Sequence, residues 1–543
     1  MVHRLSVSLA LILSFVACTT GAPGDDDGPA LGQDEAAFRL GAMTPRERMI
    51  AFKQLRHAFA ARDLRPMPAP VIPGTPARRA ALIALGQALA FDKILSDNHD
   101  VSCMTCHPAA LGTDDDRTLP GGVRGTGVGV ARTGGVVVAR NAPPLYNLHG
   151  LDALFWDGRV ERLPDGRFRT PAGDQLTPAM TAVFELGAVS AVGMFPVTSR
   201  EEMREQQVDG RFDDLTAIPD GDYTAIWNAE MARLRAIPRY REMFGDAYPD
   251  WPGPRLTRID TMTFAHASNA MAAFFLDRFT SADSPWDRFL AGDNRAFQIV
   301  EQVTALSGPP MTEDTVLRGA HFFVAQCALC HDGPFLTDNR FHDTALVQVG
   351  PGLGDGTGRE DFGRERVVAG GAEARCGLPG APASCRYAFR TPPLRNVLVT
   401  GPYGHAGQFG HLGMKATFTE TMRAGIDDLR NFVMHYSGTV ESHLRHYDFT
   451  QLDPSLQDSI VDDRDAIAAH LDPVFAEGGA FHAMSFDVEA VTAFLVAQTS
   501  TSILEKGLAT DSPLQLAPCG VIPASVPSGL PVDGSPADAG GCD

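Results

Sequence analysis

The chain has 543 residues, 44% of them apolar and 21% charged, with a formal net charge of −20. That length and apolar content suffice for two to four domains with cores of their own and exclude a disordered chain. The acidic excess excludes nucleic acid as a partner class and, where it clusters, favours basic partners such as small electron-carrier proteins.

In chain order, His3 and Arg4 precede an apolar run, Leu5 to Ala17, that ends at Cys18. The run is too short for a membrane-spanning helix and reads as a secretion signal. In "LSFVAC", Cys18 stands where a bacterial lipoprotein is cleaved and acylated, so residues 1–18 are expected to be a lipoprotein-type signal with Cys18 as lipid anchor. Residues 19–75 follow as a tether and an N-terminal helix, the latter over 45–63 with Thr44 as N-cap, Pro45 at its first position and Glu47 completing a capping box. "RPMPAPVIPGTPA" ends that helix, and a second, at about 77–91, leads into "VSCMTCHPAA".

That stretch carries Cys103, Cys106 and His107 at C-x-x-C-H spacing, and "AQCALCHDGP" repeats it at Cys327, Cys330 and His331. Two thiols so spaced add to the two vinyl groups of a haem, and the adjacent histidine supplies an axial nitrogen to the iron. A redox C-x-x-C pair or half of a zinc site would leave the histidine unexplained in both copies. Random placement of 9 cysteines and 16 histidines gives roughly 0.004 copies of the pattern. Two covalently attached c-type haems are expected.

Apolar periodicity near 3.6 returns at 258–279, 312–327, 428–437 and 487–498, while strand alternation is scarce. The fold class expected is mainly α, with two cytochrome-c-like haem domains and long loops. The domains are set at 76–295 and 296–506, divided near "LAGDNRAFQIVEQ", with a Pro/Gly-rich tail over 507–543. Cys376, Cys385, Cys519 and Cys542 remain for disulfides; proximity suggests Cys376–Cys385 and Cys519–Cys542, with three connectivities open. Disulfides and haem attachment both point outside the cytoplasm, to a periplasmic or cell-surface protein, in particular an outer-membrane lipoprotein.

The stretches "LGQALAFDKILSDNHDVSCMTCH", "ARNAPPLYN", "LFWDGR", "MFPVTSREEM", "CALCHDGPF" and "RTPPLRNVLVTGPYGHAGQF" follow one another in an order that resembles bacterial di-haem cytochrome c peroxidases and their MauG-like relatives over about residues 80–500. The resemblance implies peroxide reduction at the N-terminal haem with electrons passed from the C-terminal haem. His107 would then be the proximal ligand of the peroxidatic haem and His331 that of the electron-accepting one. Trp156 matches the inter-haem tryptophan. Asn141, with the carbonyls of Thr400 and Pro402, matches an inter-domain calcium site, whose oxygen ligands suit that ion. Glu202 matches the catalytic glutamate, six residues after Pro196; a carboxyl in an apolar pocket takes a proton from one peroxide oxygen and returns it to the other. Glu202 also completes an S-x-x-E capping box with Ser199, and Glu201 competes for the catalytic role.

The sequence departs from the family at three places. A distal glutamine is replaced by Val192. The family's blocking histidine is missing, since residues 108–140 contain none and hold "GGVRGTGVGVARTGG" instead. An insertion of about 17 residues after "AGQFG" obscures the sixth ligand of the second haem, which is methionine in classical peroxidases and tyrosine in MauG. In "DDLRNFVMHYSG", Leu429, Phe432, Val433 and Tyr436 form one apolar stripe, while Met434 shares the opposite face with Asp427, Arg430 and Asn431. Tyr436 is therefore the expected ligand, with Met414 and Met422 as rivals.

The reading is a di-haem c-type peroxidase that reduces hydrogen peroxide to water, served by a small electron-donor protein (a cytochrome or copper protein). One alternative is a MauG-like oxidase that oxidises a partner protein. Another is a haem electron carrier or peroxide sensor without turnover, which Glu202 argues against.

Overall fold

The computed structural model describes residues 45–205, 214–293, 295–355, 360–368, 373–410, 418–457, 459, 463–482, 485–504 and 526–528. The signal, Cys18, Thr44, Met414 and the Cys519 and Cys542 pair lie outside the described residues. From residue 50 onward the contacts form one unit.

Helices dominate. Helix α1 (Pro45–Ala61) uses its second half to set Phe59 edge-on against Trp286, with ring centroids 4.4 Å apart, while Arg56 Nη2 donates to the Phe289 carbonyl at 3.0 Å. Helix α2 (Pro76–Phe91) starts where Thr75 accepts from the Arg78 N–H and Pro76 supplies a preset φ. Its Leu82, Leu85 and Leu89 are fully buried, worth about 1.5–3 kcal/mol each in transfer free energy.

What α2 packs on is α4 (Phe264–Arg278), reached after α3 (Tyr223–Ala236). Thirteen consecutive residues of α4, Phe264 to Leu276, are buried, as expected of a helix apolar on every side. The two backbones meet at Gly86, where a Cβ would lie 1.9 Å from the Ala270 carbonyl oxygen. The second haem motif repeats the device. Helix α5 (Glu313–Ala325) precedes Cys327 and crosses α7 (Val488–Val496), and a Cβ on Gly319 would lie 1.8 Å from the Ala490 oxygen. Each C-x-x-C-H segment thus follows a helix locked against a later one by a glycine contact.

Two expected boundaries shift. The stretch set at 258–279 opens with a 3₁₀ turn, Arg258–Thr261, and becomes α-helical only after Thr263, which caps α4 jointly with His266. The stretch set at 428–437 belongs to a longer helix, α6 (Phe418–His435), which stops one residue before Tyr436.

Strands are short and serve the loops between helices. Ala153–Leu154, Val160–Arg162 and Phe168–Arg169 form a three-stranded antiparallel ribbon, and Phe341–His342 pairs antiparallel with Phe389–Arg390. The disulfide expected between Cys376 and Cys385 is present, with both sulfurs buried beside Ala153 and Phe341.

Substituting alanine at Gly86 or Gly319 forces a carbonyl and a methyl into the same space. Each variant is expected to lose about 1–3 kcal/mol by thermal unfolding, whereas Gly308→Ala, which meets nothing within 4 Å, should stay within about 0.5 kcal/mol of the parent.

Candidate di-haem site

Cys103 and Cys106 occupy a single helical turn whose N-cap, Ser102, donates its N–H to Thr105 Oγ1 at 2.9 Å. His107 then leaves the helix, and its Nδ1 lies 2.9 Å from the Thr113 carbonyl oxygen. At the other motif, His331 Nδ1 lies 2.9 Å from the Leu336 carbonyl oxygen. A carbonyl only accepts, so in both rings the proton sits on Nδ1 and the Nε2 lone pair is left for a metal. Thr113 and Leu336 share a further property: both have positive φ, 63° and 58°. These left-handed conformations are costly for branched side chains and turn the carbonyls back toward the imidazoles. Burial lowers the pKa of both histidines, so each stays neutral and ready to ligate.

The four thiols are unpaired with one another. Burial pushes Cys103 and Cys327 up to about 12 and Cys106 well above its ordinary value. A redox C-x-x-C pair depends on a lowered thiol pKa, and zinc on thiolates. Protonated thiols at Cys103, Cys106 and Cys327 beside a neutral imidazole suit thioether attachment of haem instead.

A largely apolar cavity opens over Cys327, Cys330 and His331. Its wall includes Leu429, Phe432, Val433 and Tyr436, the whole stripe read from the sequence. Burial pushes the Tyr436 hydroxyl up to about 12, with Thr344 as its hydrogen-bond partner and Cys327 and Cys330 close enough to add to the shift. Met434 is 48% exposed and Met422 is buried away from the cavity wall. Below Cys330, His342 is held between Asp472 (2.6 Å) and Asp338 (3.1 Å). Cys330, Asp338 and His342 bring ligand atoms within 4.8 Å of one another, but a sulfur committed to a thioether offers no thiolate to a second metal.

Trp156, Asn141, Thr400 and Pro402 line the same cavity. The indole Nε1–H of Trp156 donates to the Asn141 carbonyl at 2.9 Å, and the Asn141 amide donates to the Arg117 carbonyl at 3.1 Å. The residue before Asn141 anchors the group. Arg140 is buried, with a bidentate bond to Asp361 (2.6 and 2.7 Å) and an ion pair to Asp157 (2.6 Å), the neighbour of Trp156. Against the cost of burial, Arg140 and Arg159 lower Asp157 to about 2.

Glu202 lies on the other side of this segment, in a π-helical turn, Arg200–Arg204, capped by Ser199. Its backbone N–H donates to Ser199 Oγ at 3.2 Å, so the backbone serves the cap. Its side chain lies 3.9 Å from Arg159 Nη2, and its charge is felt by Cys103 and Cys106. A quarter of that side chain reaches solvent, yet it sits deep enough that burial raises its carboxyl, with Arg159 opposing and Glu201 assisting. Glu201 instead accepts from the Ser199 hydroxyl at 3.3 Å. Arg159, present in "LFWDGR" but not singled out by sequence, stacks over Phe155 at 3.8 Å and also pairs with Asp157 at 3.5 Å. The glycine-rich loop closes on this turn: Val123 N–H donates to the Glu201 carbonyl, and a Cβ on Gly122 would lie 1.8 Å from that oxygen.

Two histidine-terminated thiol pairs in one mainly helical unit, joined by a shared tryptophan segment, define a di-haem c-type protein. Residues 80–295 match the family model described as di-haem cytochrome c peroxidase. It is 29% identical over 332 residues to the methylamine utilization protein MauG of Methylorubrum extorquens, covering 61% of this chain and 66% of that protein, just under two thirds of its length. It is 26% identical to the MauG of Methylophilus methylotrophus, covering 60% of this chain and 67% of that one. Against the cytochrome c551 peroxidase of Pseudomonas aeruginosa it is 26% identical, covering 64% and 75%. Among the described residues no helix is long and apolar enough to cross a membrane.

Arg140→Met should leave Asp157 and Asp361 buried without their shared cation. A loss of about 3–5 kcal/mol in unfolding free energy is expected, against less than about 1 kcal/mol for Arg445→Met, which breaks an exposed pair with Glu441.

Proposed function

We propose that the protein reduces hydrogen peroxide to water at the haem of His107, using electrons that enter at the haem of His331 and pass Trp156. The observation that carries this reading is the placement of Glu202, with a raised pKa, beside Cys103 and Cys106 and 3.9 Å from Arg159. The haems, once attached, supply the iron that exchanges electrons with peroxide; two electrons and two protons convert one peroxide to two waters. Glu202 takes the proton of the near oxygen and returns it to the departing one. Arg159 holds the Glu202 carboxylate and offers the donor that Val192 cannot. Trp156, fixed through its N–H to a carbonyl that accepts no proton, is suited to pass an electron while keeping that proton.

No histidine follows His107 before Asn141, and His149, one flanking candidate, is engaged with the Pro68 carbonyl at 2.8 Å and stacks edge-on against Phe335. With His149 so engaged, no histidine of that loop would compete with peroxide for a haem held by His107. Tyr436 would supply the second haem with its further ligand, and Asn141, Thr400 and Pro402 would hold one calcium ion between two cytochrome-like halves that divide near residue 295. The protein works in the periplasm, anchored through Cys18, and draws on a small cytochrome or copper protein. Tyr436 also favours a second reading, in which the oxidising equivalents are taken from a partner protein as the MauG relatives' likeness suggests; turnover with a reduced small cytochrome as sole donor decides against it.

Glu202→Gln keeps shape but cannot cycle the proton, so peroxide turnover should fall by about 10²-fold or more with both haem spectra unchanged. The Glu202 base works only when ionised, so kcat/KM declines as pH falls through its raised pKa. Arg159 opposes that shift, and Arg159→Leu should move the acidic limb to higher pH. Equal turnover in Glu202→Gln would reduce the residue to a part of the cap.

Electron paramagnetic resonance of the resting ferric protein should show one high-spin and one low-spin haem, without the near-infrared band of His/Met ligation. Two low-spin haems, or a near-infrared band lost in Met414→Ala or Met422→Ala, would reject the open site or the tyrosine ligand respectively.

A further inference from the structure

Arg390 ends the strand Phe389–Arg390. Its N–H donates to the Trp156 carbonyl at 2.8 Å, and its side chain lines the cavity over Cys327, Cys330 and His331. It is 5% exposed. Other buried arginines of the chain are neutralised: Arg140 by Asp157 and Asp361, Arg364 by Glu161 and Glu373, and Arg395 by Asp287. Arg132 spends Nε, Nη1 and Nη2 on three glycine carbonyls of its own loop. Arg390 has no carboxylate partner and fewer carbonyls than Arg132. It has five N–H donors, and its two hydrogen bonds both go to backbone carbonyls, Nη1 to Thr391 at 3.1 Å and Nε to Phe155 at 3.4 Å.

No carboxylate among the described residues lies within ion-pairing distance. Asp338, whose charge it feels, is engaged by His342 and by the Arg340 N–H. Burial, with repulsion from Arg375, pulls the Arg390 pKa down to about 10. A guanidinium held in an apolar cavity without a counterion calls for an anion. A second cavity-lining group also lacks a partner, the buried hydroxyl of Tyr146.

We propose that Arg390 is the receptor for a propionate carboxylate of the haem attached at Cys327, Cys330 and His331. The proposal rests on the reading of this cavity as the second haem's seat. A planar carboxylate matches the guanidinium fork, and a charge-assisted pair of this kind is stronger than a neutral hydrogen bond. Because the same residue bonds the Trp156 and Phe155 carbonyls, it also sets the spacing between the porphyrin edge and the indole. Its positive charge raises the reduction potential of the second haem, partly offsetting an anionic phenolate ligand.

The test uses the matured holoprotein and its Arg390→Lys and Arg390→Leu variants. Haem content is counted first: two per chain in all three is expected, and one in the parent would overturn the seat and the proposal together. The potential of the second haem is then titrated between pH 6 and 9, and the propionate bending band is read by resonance Raman. Arg390→Leu should lower the potential and give it a pH dependence that the parent lacks, because an unpaired buried propionate takes up a proton. Arg390→Lys should keep the potential nearer the parent's but shift the band, since an ammonium cannot form the fork. If Arg390→Leu is not recovered, the band in Arg390→Lys decides. A band and a potential unchanged from the parent would make Arg390 a strut for Phe155 and overturn the proposal.

Discussion

The guanidinium of Arg140 holds three distant segments at one point. It bonds Asp157 on the Trp156 segment and Asp361 in the region that carries the disulfide, and it immediately precedes Asn141, whose carbonyl receives the indole N–H. Removing ions from water is costly, and a pair of this kind is weak evidence for stability in itself. Its value lies in geometry. With Arg140 and its carboxylates buried, separating any one of these segments would leave a buried charge unpaired, and that cost holds the tryptophan segment in place.

The charges also set the contrast between the two haem surroundings. Arg140 and Arg159 balance Asp157 and Asp361, which leaves Glu202 as the surplus anion sharing Arg159 with Asp157 at 3.9 and 3.5 Å. A carboxylate that must share its cation in a partly buried turn is easily protonated, which is the property a proton shuttle needs. Around the second motif burial acts on imidazoles and a phenol. It takes His405 down to about 3 and His435 down to about 4, and raises the Tyr436 hydroxyl.

Much of this was legible in the sequence where the signal is local. The C-x-x-C-H spacing names its own chemistry, and the 3.6 period over Leu429, Phe432, Val433 and Tyr436 correctly put Tyr436 on the cavity side and Met434 outside. The nine-residue separation of Cys376 and Cys385 suggested the disulfide that is found. What could not be read depends on chain segments that meet only after folding. The Arg140 and Asp361 pair spans 221 residues. The carbonyls of Thr113 and Leu336 act through backbone conformation, which no side-chain pattern announces. Arg159 and Arg390 stood in plain view inside quoted stretches, but an arginine acquires a role only from the charges that surround it.

The Trp156 segment shows how such distant pieces combine. Phe155 has a φ of 65°, a conformation that a bulky residue adopts at a cost of order 1–3 kcal/mol and keeps only where its surroundings over-determine it. Here they do. On one side the indole is tied to Asn141; on the other, Arg390 bonds the carbonyls of both Phe155 and Trp156. Beyond the turn, Arg364 donates to the carbonyls of Asp157 and Gly158 while pairing with Glu161, and Arg375 pairs with Glu161 one residue before the disulfide begins. The disulfide-bearing region is therefore a brace for this segment, and the strain at Phe155 is borne by ion pairs and backbone bonds drawn from four separate parts of the chain. Slack in any one of them would shift the indole relative to both thiol pairs, which is why a loop far from either of them bears on the position of Trp156.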